Sequence, residues 1–353
     1  MNLATVDKIA RAVLYEGYML YPYRPSSVKN QQRWNFGVLC PRAYSEAQNG
    51  TEAWSMQTEC LVQGDALTGL EVRVRFLQLV NRTVGKLSKS SSELPLEGPP
   101  EFYSVESLLV NGHLYQRWQE AIEREVVVAA CNVKALAQRP MRQEFSFPAE
   151  ERVDPLREPD AAIAGILLRK TDVLSGEVEI SAVAKNDNMF LVRVVVRNTT
   201  DFESGRQASR DEALLSALIS THTILGMLDG SFVSLLAPSE ETTVFAADCK
   251  NIGTWPVLVG EEGQHDTLLS SPIILYDYPQ IAPESAGDLF DGTEIDEILS
   301  LRIMTLTDEE KREMSQSDER AREMLERTES MPAEQFMKLH GVLRGMRPLK
   351  EAR

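Results

Sequence analysis

Leu70-Glu71-Val72-Arg73-Val74-Arg75-Phe76 is the stretch on which the fold turns. Leu70, Val72, Val74 and Phe76 fall on one side of an extended chain, and Glu71, Arg73 and Arg75 on the other. A period of two is the pattern of a half-buried strand, because successive side chains of a strand point to opposite faces. The pattern runs from Gly69 to Val84, long for a single strand. Upstream, Arg33–Cys40 and Trp54–Val62 read as shorter strands. Downstream, residues 85–100 are rich in Ser, Lys, Pro and Gly and read as a surface loop. Val105–Val128 carries two patterns: helical through Trp118 and Ile122, then a buried strand over Val126–Val133.

A second β block follows, over Ile163–Arg169, Gly176–Ala184 and Met189–Asn198. Lys185-Asn186-Asp187-Asn188 has turn composition, so the last two runs predict a hairpin. Short strands are expected at Phe232–Leu236, Val244–Ala247, Pro256–Val259 and Ile273–Tyr276.

Helix signals frame this block. Val6, Ile9, Ala10, Val13 and Leu14 follow helical spacing, with Thr5 as the expected cap and Gly17 and Pro22 as the stop. Ser209-Arg210-Asp211-Glu212 is a capping box, and the apolar run after it predicts a core helix over 209–227. Beyond Pro283, helices are expected over Thr293–Met304, Thr307–Gln316, Asp318–Glu329 and Ala333–Leu343, with a second capping box at Thr307–Glu310. The Glu- and Arg-rich stretch 308–329 has few large apolar residues and predicts an exposed helical arm. The expected architecture is α+β. A β-rich core of two packed, mainly antiparallel sheets carries one core helix, an N-terminal helix and a helical C-terminal tail. Residues 1–283 form the core domain and 284–353 the tail.

With 43% hydrophobic residues in 353, the chain can bury a sizeable core. A net charge of -16 argues against nucleic acid and against an anionic membrane surface, since both are met by a basic face. No run of apolar residues is long enough to span a bilayer, and Met1–Ala12 has no signal-peptide pattern. Cys40, Cys60, Cys131 and Cys249 are scattered, as expected of free thiols in the cytoplasm.

The N-terminal stretch Leu20-Tyr21-Pro22-Tyr23-Arg24-Pro25, continuing through Lys29 to Arg33-Trp34-Asn35-Phe36, concentrates aromatic and basic residues within an acidic chain. Aromatic side chains and arginine anchor protein interfaces, so Tyr21, Tyr23, Arg24, Lys29, Arg33 and Trp34 are the candidate partner-binding residues. The same residues can instead pin the N-terminal helix to the sheet. No catalytic, cofactor or metal residues are assigned. His113, His222, His265 and His340 keep no metal-ligand spacing, though Cys249 and His265 can converge in space. Nucleophile elbows, phosphate loops and dinucleotide fingerprints are absent. Asp288–Glu294 reads as a turn with Thr293 capping the next helix rather than as a calcium loop.

Two segments carry a resemblance. Val13-Leu14-Tyr15-Glu16-Gly17-Tyr18-Met19-Leu20-Tyr21-Pro22-Tyr23-Arg24-Pro25 with Arg33-Trp34 is one, and Gly287–Leu299 with Arg302-Ile303-Met304-Thr305-Leu306 is the other. There the chain resembles an uncharacterised family encoded beside nickel–iron hydrogenases of the actinobacterial, high-affinity type. The resemblance implies an accessory or assembly role, with a hydrogenase subunit or maturation factor as partner. It supplies no functional residues. Without clustered Cys or His, a scaffold fits better than metal delivery. The alternatives are an enzyme with an unrecognised site and a structural subunit of a larger complex.

Overall fold

A computed structural model describes residues 3–14, 34–95, 99–203, 208–280, 303–317, 319–330 and 332. The protein is α+β and rich in β structure. Its helices are α1 (Leu3–Leu14), α2 (Arg42–Ala47), α3 (Val133–Gln138), α4 (Arg210–Leu215), α5 (Thr243–Ala246), α6 (Asp308–Ser317) and α7 (Glu319–Ser330). The first strands are β1 (Ser55–Ser91), β2 (Phe102–Val105), β3 (Ser107–Val110), β4 (His113–Gln116), β5 (Trp118–Asn132), β6 (Met141–Phe147) and β7 (Glu150–Arg157). The chain continues with β8 (Ile163–Thr171), β9 (Leu174–Ala184), β10 (Met189–Asn198), β11 (Ile219–Val233), β12 (Trp255–Leu258) and β13 (Thr267–Ser271).

Eleven strands form one antiparallel sheet, and β3 and β4 form a second, two-stranded one. The 37-residue β1 is the spine of the large sheet. Its first part pairs β10 and the end of β11, its middle pairs β11 and β5, and its last part pairs β8 and β2. Between Gly64 and Gly69 the register against β11 slips, because residues 65–68 bulge out opposite Asp229. The Thr68 hydroxyl ties the bulge by donating to the Asp229 carbonyl at 2.7 Å. A bulge bends and twists its strand, so β1 can serve both halves of a curled sheet. The inner face gathers Cys60 and Val62 from before the bend with Val72, Val74 and Phe76 from after it. Val178 and Ile180 of β9 and Val192 and Val194 of β10 close the same core. On β6, Phe145 and Phe147 each bring a ring to 5.9 Å from that of Phe76.

The alternating face of Gly69–Val84 is thus the core face, and the 174–198 hairpin has the expected turn. The expected 209–227 helix is much shorter. Ser209 and Glu212 form the capping box, but the helix stops at Leu215 and Ile219 begins a strand. A run buried on both faces has no alternation, so helix and interior strand look alike in sequence. β3, β4 and the start of β5 also stand where a helix was expected; these short or half-exposed strands show no sustained alternation of burial that would set them apart. Part of the expected 85–100 loop continues β1 as far as Ser91. Residues 243–246 are helical, the described part of the expected Arg33–Cys40 strand, 34–40, contributes a bridge from Leu39 to Leu218, and 273–276 is not a strand. The strand β13 was not anticipated.

α1 begins at Leu3, before the expected cap Thr5, and buries Val6, Ile9, Ala10, Val13 and Leu14. Four of these pack on Ile224, Val257 and Leu269 of β11, β12 and β13 and on Val259 just past β12. In the tail, α6 and α7 are joined by Lys311–Glu329 at 2.9 Å, and each end of the Thr307–Glu310 capping box accepts from a backbone N–H. Met314 and Leu325 are buried, so the arm hides more than its charge pattern implied. The expected 293–304 and 333–343 helices, and the Asp288–Glu294 turn, lie mostly or wholly outside the described residues. No described helix is long and apolar enough to cross a membrane.

Candidate functional site

The aromatic–basic stretch is framed by two described residues, Leu14 and Trp34. Both are buried in one hydrophobic cluster, with Val38, Cys40, Tyr44, Leu77, Leu79, Leu214 and Ile219. The chain therefore leaves this cluster at Leu14 and re-enters it at Trp34. Tyr21, Tyr23, Arg24, Lys29 and Arg33 lie outside the described residues. Trp34 is the one candidate that is placed, and its side chain is in the core, at 4% exposure. Its Nε1 donates to Gln119 Oε1 at 3.1 Å, and its carbonyl accepts from Arg210 Nη2 at 2.6 Å. Arg210 also donates from Nε to Glu52 at 2.8 Å. An indole that is buried with its N–H satisfied is a structural anchor. This corrects the expectation that Trp34 is a surface contact.

Above the cluster, α1 is clamped by charge as well as by its apolar face. Asp7 Oδ1 lies 2.7 Å from Arg75 Nη2, an ion pair outside hydrogen-bond alignment. Arg75 Nε donates to Glu125 Oε1 at 2.6 Å, and Arg73 joins the same carboxylate at 3.3 Å. The Ser220 hydroxyl donates to the Val13 carbonyl near the end of α1 at 3.2 Å. Ser220 has φ +52°, a left-handed conformation rarely taken by a residue with a side chain, and it sits where β11 slips register against β1.

Sequence reasoning set His222 aside, but it belongs to this clamp. It is fully buried, and its Nδ1 lies 3.0 Å from the Ser220 carbonyl. Since a carbonyl only accepts, Nδ1 carries the proton and Nε2 bears the lone pair. That Nε2 has no hydrogen-bond partner. Burial pushes the imidazole down from 6.5 to about 4; the Ser220 hydrogen bond opposes this, and the Arg75 charge adds to it. The ring is neutral at physiological pH and closed to solvent. The signal that could have revealed it is the polar run Ser220-Thr221-His222-Thr223 inside an apolar segment.

Cys249 and His265 have separate surroundings. Cys249 packs beside Leu61, Met189 and Leu191, while His265 Nδ1 lies 3.1 Å from the Phe232 carbonyl. All four cysteines are free. Burial pushes the thiols of Cys40 and Cys249 up to about 12 and about 11, and that of Cys60 higher still. Thiols held protonated are poor nucleophiles and poor metal ligands. Among the described residues, no three His, Cys, Asp or Glu side chains stand together as a metal site. A second ionic network, Glu120 with Arg82 at 2.8 Å and Arg169 at 2.7 Å, ties β5 to β1 and β8. Desolvation raises the Glu120 carboxyl, but Arg169 and Arg82 outweigh it and hold it below its ordinary 4.5.

No family model matches the chain, nor does any curated protein or solved structure.

Proposed function

We propose that the protein is a non-catalytic, cytoplasmic accessory protein that binds another protein through the stretch between Leu14 and Trp34. The observation that carries the reading is the common burial of those two residues in one cluster. A segment whose ends are fixed on a rigid core loses less conformational freedom on binding than a free tail, and so keeps more of its contact energy. Among the described residues, the buried ring nitrogen without a hydrogen-bond partner, Nε2 of His222, is closed to solvent, and the thiols of Cys40 and Cys249 hold their protons. That chemistry supports a binding role over a catalytic one. The resemblance to proteins encoded beside nickel–iron hydrogenases directs the partner to a hydrogenase subunit or maturation factor.

The experiment is a pull-down of the tagged chain from its native host, read by mass spectrometry, followed by titration of the recovered partner. Recovery of a hydrogenase subunit or assembly factor is expected, with Tyr23→Ala/Arg24→Ala weakening it roughly thirtyfold. Unchanged affinity of a folded double variant would move the interface elsewhere. Recovery of unrelated proteins alone would end the hydrogenase assignment.

A further inference from the structure

We propose that the interior hydroxyl cluster of Thr58, Thr221, Thr223, Thr254 and Ser270 binds internal water. Each of these residues is at most 1% exposed. Thr223 and Ser270 are direct cross-strand partners, so their side chains share a face. The next pair along that face, Leu225 with Leu268, belongs to the main core, as do the neighbours of Thr58 on its face of β1, Met56 and Cys60. The hydroxyls are thus a polar island at one end of an aliphatic interior.

A proton count shows that the island is incomplete. Thr58 Oγ1 donates to Ser270 Oγ at 2.8 Å, and Thr254 Oγ1 lies 2.7 Å from the same oxygen. Three hydroxyls bring three protons, and two contacts use two of them. Whichever way the Thr254–Ser270 bond points, one O–H is left over. Thr221 Oγ1 and Thr223 Oγ1 have no hydrogen-bond partner at all. Thr221 is fixed in place, its backbone N–H donating to the Gly37 carbonyl at 2.9 Å.

A ligand for this island must both donate and accept, be small, and need no route for a large solute. Water meets all three conditions, and buried waters characteristically make about three hydrogen bonds to polar groups of this kind. Thr223 and the Thr254–Ser270 pair supply complementary donors and acceptors for one molecule.

The test is a high-resolution crystal structure of the full chain, paired with thermal unfolding of Thr223→Val and Thr223→Ser. We expect a density peak within hydrogen-bond distance of Thr223 Oγ. We also expect Thr223→Val, close in shape but without the hydroxyl, to lower Tm by a few degrees while Thr223→Ser retains the peak. An unbonded hydroxyl would behave in the opposite sense, and removing it would raise Tm. No density beside Thr223 in the wild-type crystal, or a more stable Thr223→Val, overturns the proposal. The wild-type density decides alone if the valine variant does not fold.

Discussion

Arg75 stands directly opposite His222 in the β1–β11 register, yet its guanidinium turns to Asp7 of α1 and Glu125 of β5. The imidazole is left buried beside a cation, with a carbonyl on one nitrogen and nothing on the other. Protonating it inside the fold is opposed by burial and by Arg75.

The pH dependence follows from this arrangement. The unfolded chain binds a proton at 6.5, whereas the folded chain does so only at about 4. Between those values the unfolded state holds more protons, so acidification favours unfolding. The neutral ring's contribution is complete above pH 6.5 and is lost on the way down to about 4, amounting to about 3 kcal/mol. Urea unfolding across this window should show the loss, and His222→Gln should flatten it. The Glu120 contribution, from a carboxyl held below 4.5, falls away only at lower pH. An unchanged slope in the Gln variant would remove His222 as the cause.

Trp34→Ala should destabilise the protein by about 3–5 kcal/mol, the range for emptying a buried aromatic site. The Gln119 side chain would also lose its indole donor. Chemical denaturation measures the cost. A variant as stable as the parent would show that Trp34 does not anchor the core.

Gly176→Ala tests the closeness of β9 to its neighbours. An added Cβ would lie 2.2 Å from Phe145 Cζ and 2.8 Å from the Arg197 carbonyl oxygen. The backbone oxygen cannot swing away, and the Phe145 ring already packs on Phe76. Overpacking of this kind costs about 1–3 kcal/mol. A lower denaturation midpoint is expected, with no change in the denaturant slope.

Removing the chain after Met304 should leave the β core folding cooperatively. Every strand of the large sheet precedes that segment, and the two helices of the arm are joined to each other by Lys311–Glu329. Loss of a single cooperative transition would make the arm an integral layer of the domain.

The sequence was legible where physics leaves a periodic trace. Leu70, Val72, Val74 and Phe76 alternate because one face of β1 meets core and the other carries charge. Ser209 and Glu212 announce a helix start because they satisfy each other's backbone. The extent of that helix was not legible, since Ile219–Met227 is buried on both sides and its polar residues, Ser220 to Thr223, run consecutively instead of marking a period. The aromatic–basic stretch was visible, but that its candidate anchor Trp34 turns inward depends on Gln119, far away in sequence. His222 left one trace, the polar run Ser220–Thr223, but its burial beside Arg75 depends on a left-handed Ser220 and a cross-strand register that a linear pattern does not carry.

The long β1 also sets the order in which the molecule can be made. A strand completed by Ser91 finds its partners as late as Ile219–Val233. On a ribosome its unpaired edges stay open while well over a hundred further residues are synthesised. Long-range pairing of this kind slows folding and exposes strand edges to misassociation. Synthesis is therefore the step at which this protein should be most sensitive to temperature and to chaperone supply, whatever it later binds.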